Sequence, residues 1–134
     1  MSDATSSSGQ KLIDVELVAA DQRVWSGKAS MVIVRTADGD LGVLPNHESV
    51  LAVLVPWPVT IRTPDQGDVV ASVNGGFVSF ADNRLSLLAE SAELAADIDV
   101  KRAEKELALA RDASDERAEA IAASRLAAAA GHRA

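Results

Sequence analysis

The sequence of 134 residues contains no cysteine and no tyrosine, and aromatic residues make up only 3% of it. Without cysteine there is no disulfide, no thiolate metal site and no thiol nucleophile. With so few aromatic rings, a core must be assembled from valine, leucine, isoleucine and alanine; a hydrophobic share of 48% suffices for one. Histidine is nearly missing too, at two residues, His47 and His132, so no histidine-based metal-ligand set can form. No run approaches the roughly 18 uninterrupted apolar residues of a membrane span. The opening MSDATSSSGQ has neither the apolar h-region of a signal peptide nor the arginines of a transit peptide. Residues 1–10 therefore read as a disordered leader, and the chain as a soluble, intracellular protein.

Positive charge is scarce as well. The net charge is −7, and residues 1–96 hold 6 Lys/Arg against 12 Asp/Glu, while residues 97–134 hold 7 against 8. No basic stripe exists to displace phosphate counterions, which excludes nucleic acid as a partner. Catalytic constellations are absent: there is no Ser/His/Asp set, no Cys/His pair and no P-loop. The carboxylates of Asp38 and Asp40 fall on an open turn rather than in an apolar pocket that would shift their pKa. The chain reads as a non-enzyme.

What is present changes character once. From Leu12 to Glu90 short β-branched runs alternate with turns. The expected strands are Leu12–Val18, Lys28–Arg35, Leu41–Leu44, Leu51–Val55, Val59–Thr63, Val69–Val73, Phe77–Phe80 and Leu85–Ala89. Val59, Ile61 and Thr63 alternate with Thr60 and Arg62, the period-2 pattern of a half-buried strand. Asp38-Gly39, Pro64-Asp65-Gln66-Gly67, Gly75-Gly76 and Asp82-Asn83 have turn chemistry, and Gly75-Gly76 reads as a hairpin turn. All four prolines lie in this first part. The pattern predicts an antiparallel β-sandwich or barrel over residues 11–93.

Residues 94–134 predict helix instead. From residue 97 onward there are 13 alanines, no proline and a single glycine, Gly131. Val100, Ala103, Leu107 and Ala110 share one helical face, and Ala118, Ile121, Ala122, Leu126 and Ala129 form a second stripe. Asp97 or Asp99 can cap the first helix and Ser114 the second. Arg102–Glu106 and Arg111–Asp115 are expected i,i+4 pairs. The break at Asp112-Ala113-Ser114 contains no glycine or proline. Two antiparallel helices and one continuous rod, about 50 Å long over residues 98–130, both fit.

Two patches carry a resemblance. The first is Asp38-Gly39-Asp40-Leu41-Gly42-Val43-Leu44-Pro45-Asn46-His47. The second is Asn74-Gly75-Gly76-Phe77-Val78, followed by Leu85–Glu90 and Ile98-Asp99-Val100-Lys101-Arg102-Ala103. In this order and spacing they resemble the epsilon-subunit family of bacterial F-type ATP synthases, over about residues 11 to 112. Glu48-Ser49-Val50 departs from the Ala-Pro-Leu more usual there.

The resemblance implies about ten strands in the sandwich and a C-terminal helical hairpin. It implies a non-catalytic rotor subunit of the central stalk, bound to the gamma subunit and the c-ring of a proton-translocating enzyme. Its helices would reach the alpha/beta catalytic head and restrain ATP hydrolysis. The protein would sit peripherally on the cytoplasmic face of the bacterial cell membrane, touching it only through the complex. Asp38, Asp40, Leu41 and His47 would face the rotor. The Ile98, Asp99, Arg102 and Ala103 motif, with Arg117 and Arg125 from the second helix, matches a regulatory ATP site, no cofactor being required. The bland readings stand beside these: an acidic turn, a loop histidine, and a helix start with a solvated ion pair. A small ligand-binding or adaptor β-domain with a helical tail remains the alternative function.

Overall fold

Apolar residues every second position make the first strand, with Ile13, Val15, Leu17 and Ala19 buried and Asp14 turned to solvent. The computed structural model describes residues 11–20 and 22–133; the expected leader, residues 1–10, lies outside them. Among the described residues, eight strands come first: β1 (Ile13–Ala19), β2 (Gln22–Ala29), β3 (Met31–Thr36), β4 (Gly39–Val43), β5 (Val50–Val53), β6 (Trp57–Arg62), β7 (Asp68–Ala81) and β8 (Arg84–Leu94). A short 3-10 turn, Ala95–Asp97, leads to α1 (Val100–Asp112) and α2 (Glu116–Arg133).

The strand order is β2-β1-β8-β7-β6-β3-β4, with β5 also on β7. All pairings are antiparallel except β1 with β8. One edge of β7 is shared: β6 pairs with Asp68–Val73 and β5 with Phe77–Phe80. The strands thereby enclose one apolar core, in which Phe80, Ile13, Leu17, Ile61, Leu85 and Leu87 are the largest fully buried side chains. This is the mainly-β sandwich followed by a helical pair that the composition predicts, with eight strands against the expected ten or so.

Two local expectations are corrected. Lys28–Arg35 is not one strand; it divides at Ser30 into β2 and β3. β2 is an edge strand with exposed Gln22 and Arg23, so it lacks a clean apolar alternation. Gly75-Gly76 is not a hairpin turn either. It lies inside β7, where φ is +79° at Gly75 and +111° at Gly76. The ladder to β8 pairs Asn74 with Ser91 and Gly76 with Ala89, so it omits one rung at Gly75 and keeps its register. A Cβ on Gly76 would stand 2.0 Å from the Leu88 carbonyl oxygen. Glycine is required because the neighbouring strand's backbone occupies that space.

The helices form a hairpin, not a rod. Asp99 caps α1, its carboxylate accepting from the Arg102 amide. Ser114 does not cap α2; it turns the chain with φ +55°. Asp115 is the cap, accepting from the Ala118 amide at 3.0 Å. Since Asp115 is engaged there, Arg111 pairs with Glu119 instead of the expected Asp115. α2 lies on β6, β7 and the 3-10 turn, and α1 packs on α2.

Candidate functional site

Two regions carry the residues of interest: the β3–β4 turn with its neighbouring loop, and the interface between the hairpin and the sandwich.

At the turn, Thr36 Oγ1 donates to the Gly39 carbonyl at 2.8 Å and accepts from the Asp38 amide at 3.1 Å. Gly39 takes φ +123°, closing a tight corner that leaves the Asp38 side chain in solvent. Asp40 is directly across the ladder from Arg35, which donates through Nε to its carboxylate at 2.8 Å. The same guanidinium lies over the Trp57 ring, 4.1 Å from its centroid. The hydrogen bond from Arg35, reinforced by its charge, holds the Asp40 carboxyl below the usual aspartate range. Leu41 is half-buried opposite Val34 and packs on the core.

His47 is placed elsewhere, beyond the far end of β4. Its Nδ1 donates to the Glu48 carbonyl at 2.7 Å, and its ring meets Phe80 edge-on at 6.0 Å. The Asn46 amide donates to Asn83 Oδ1, and Asn83 Nδ2 donates back to Asn46 Oδ1 at 3.0 Å. His47 thus belongs to a loop clamped against the β7–β8 turn. The length of β4 separates it from Asp38 and Asp40, so the four residues are not one patch.

At the hairpin interface the buried side chains are small. Ala103 and Ala110 of α1, and Ala122, Ser124, Ala128 and Ala129 of α2, are buried; Leu109 is 59% exposed. Ser72 and Ser124 hydroxyls meet at 2.9 Å, and Asn74 Nδ2 donates to Ser91 Oγ at 3.1 Å. Ile98 packs beside Val70, Ala95 and Ala128. In the Ile98–Ala103 motif, Ile98 and Ala103 therefore pack, Asp99 caps, and Lys101 and Arg102 face solvent, Arg102 beside Glu106 at 3.5 Å. Arg125 pairs with Glu93 at 2.9 Å and with Glu106; Arg117 pairs with Glu90. The structure thus joins Arg102 and Arg125 around Glu106 and keeps Arg117 on a different partner. A groove of about 460 Å³ opens beside Glu106 and Arg125, lined by Leu109, Ala110, Ala113 and Ile121.

One feature is absent from the expected site residues. Leu51 (74% exposed), Val53, Phe77 and Leu88 stand on the outside of the sandwich. Val53 pairs with Phe77, and Phe77 with Leu88, so three of them form a continuous row across β5, β7 and β8. The legible signal was Val50–Val55, a strand-length run apolar on both faces, which asks for cover on both sides. Among the described residues, no group of three or more His, Asp or Glu could hold a metal ion.

The family model described as ATP synthase, Delta/Epsilon chain, beta-sandwich domain matches residues 12–95. The ATP synthase epsilon chain of Streptomyces coelicolor is 59% identical over 119 residues, covering 89% of this chain and 96% of that one. The chain belongs to the ATP synthase epsilon chain family. As such it is a non-catalytic ATP synthase subunit. The epsilon chain of Rhodococcus erythropolis is 46% identical over 70% of this chain and 78% of its own. Among solved structures, a chain of the Euglena gracilis mitochondrial ATP synthase OSCP/F1/c-ring assembly matches the fold with a TM-score of 0.70. That match has 22% identity and covers 95% of this chain and 83% of the other.

Proposed function

We propose that this chain is the central-stalk subunit that couples the gamma subunit and c-ring of a bacterial, proton-translocating F-type ATP synthase to its catalytic head. In this reading the sandwich, residues 11–93, is the attachment. Its outward row of Val53, Phe77 and Leu88 suits a gamma-subunit surface, and the exposed Asp38 turn suits basic loops of the c-ring. The helical hairpin, residues 94–134, is a brake on ATP hydrolysis that acts by leaving the sandwich for the alpha/beta head. The protein works on the cytoplasmic face of the bacterial cell membrane and reaches it only through the complex. Among the described residues, no helix is long and apolar enough to cross a membrane.

The observation that carries the brake is the smallness of the docked contact. Among the described residues, every buried hairpin side chain is an alanine or a serine, each contributing only about 1 kcal/mol on burial. Docking that weak is set by a few kcal/mol, within reach of a partner that prefers the released form. Truncation before Ala113 tests both halves of the proposal in the assembled enzyme. The truncated chain should still assemble with gamma and the c-ring, and ATP hydrolysis should rise. Unchanged hydrolysis would overturn the brake, and lost assembly would overturn the division of labour.

A regulatory nucleotide is a second reading, favoured by the pairing of Arg102 and Arg125 around one carboxylate. An ATP phosphate entering the groove would displace Glu106 from between two guanidiniums. Calorimetry of ATP into the isolated chain should then show binding that Arg102→Ala abolishes. Absence of binding to the parent protein would eliminate the site.

A further inference from the structure

We infer that Arg125 is a latch that couples two movements of the hairpin, the lifting of α2 from the sandwich and the separation of α1 from α2. Three elements meet at its guanidinium. From α2, Nε donates to Glu93 of β8 at 2.9 Å, and Nη1 donates to Glu106 of α1. α2 cannot leave the sheet without breaking the first contact. The two helices cannot open away from each other without breaking the second.

Burial separates this arginine from its neighbours. The Arg125 side chain is 15% exposed, against 72%, 63% and 64% for Arg102, Arg111 and Arg117. Those exposed pairs are screened by solvent and contribute little. Arg125 is different because water can replace few of its lost contacts. Removing the cation would also leave Glu93 and Glu106 within the reach of one guanidinium of each other, with Arg102 at 3.5 Å the remaining partner of Glu106. The surrounding interface is alanine, which supplies close approach but little to resist that repulsion.

The alternation of charge across three elements is therefore the device. A negative residue on the sandwich, a positive residue on α2 and a negative residue on α1 hold only when all three are in register. Loss of either outer contact weakens the other, since each orients the same planar group. The hairpin should consequently release as a unit, rather than fray helix by helix.

The test is hydrogen exchange on the isolated full-length chain. Arg125→Met keeps most of the side-chain volume and removes the charge. Amide protection across α2 and α1 should fall at least about tenfold, while the amides of β1 and β8 at Leu85–Leu87 stay unchanged. The triple variant Arg125→Met, Glu93→Gln, Glu106→Gln removes the repulsion between the carboxylates as well, and protection should recover only in part, because the contacts across the three elements stay lost. Protection unaltered in Arg125→Met would overturn the latch. So would a triple variant as protected as the parent, since contacts that can all be removed without loss hold nothing. Because the readout needs no ATP synthase, failure here leaves the truncation result for the brake to stand or fall separately.

Discussion

Ser72 on β7 and Ser124 on α2 join hydroxyl to hydroxyl at 2.9 Å, and both side chains are fully buried. Apart from the Arg125–Glu93 ion pair, the interface around them is made of alanine methyls and short aliphatic edges. A smooth alanine face can slide along a sheet, whereas a hydroxyl must stay opposite its partner. The pair therefore fixes where α2 sits on β7. Ser124→Ala strands the Ser72 hydroxyl away from water, at about 1–3 kcal/mol. The double variant Ser72→Ala, Ser124→Ala removes both groups and should recover most of that loss. Hydrogen exchange of α2 amides measures each variant. Equal losses in single and double variants would show that the hydroxyl contact does not hold the helix.

That pair marks a boundary of what the sequence discloses. The division into a β part and a helical part is visible in composition, because proline, glycine and β-branched residues stop where alanine begins. The helix faces follow from spacing, and Ala103, Ala110, Ala122 and Ala129 are buried as the stripes predict. Ser124 and Ala128 fall off those stripes and are buried because a second surface, the sheet, lies against α2. A one-sided helical pattern cannot reveal a helix covered on two sides. β2 was hidden for the opposite reason, since an edge strand buries too little to need alternation. Among the expected site residues, Asp40 and Arg125 are legible in the sequence only as charged groups, and the structure adds the ion pairs they make. Their partners, Arg35 for one and Glu93 with Glu106 for the other, depend on strand register and helix docking.

Gly75-Gly76 shows how two apolar runs split by glycines can look like a hairpin and yet be one strand. The backbone of Leu88 lies where a Gly76 side chain would be, and φ of +111° excludes an ordinary L residue as well. Gly76→Ala should destabilise the sandwich by about 3 kcal/mol or more, combining strain and displacement of the β7–β8 ladder. Gly67, also at positive φ, has nothing within 4 Å of its virtual Cβ, so Gly67→Ala should cost only about 1 kcal/mol of backbone strain. Urea unfolding followed by tryptophan fluorescence compares the two. Similar midpoints would mean that close approach of the strands is not what selects glycine at Gly76.

Arg35 gives Asp40 a pH dependence whose direction follows from its lowered pKa. A carboxyl that binds its proton less tightly in the folded chain than in the unfolded one stabilises the fold while ionised. The contribution is fully present above the ordinary aspartate range, and it is lost as pH falls through the lowered folded value. At neutral pH it is intact. Arg35→Met removes the hydrogen bond and the charge, so Asp40 should titrate closer to its ordinary value, at higher pH than in the parent. The variant should accordingly show a smaller loss of stability on acidification from this site, and the Trp57 ring should lose its stacked cation. Carbon-detected NMR titration of the Asp40 carboxyl reads the first effect directly. Trp57 emission, isolated in a Trp25→Phe background, reads the second. An Asp40 titration that is the same in both proteins would mean that Arg35 does not hold this carboxylate in solution, leaving Asp40 free for a basic partner surface.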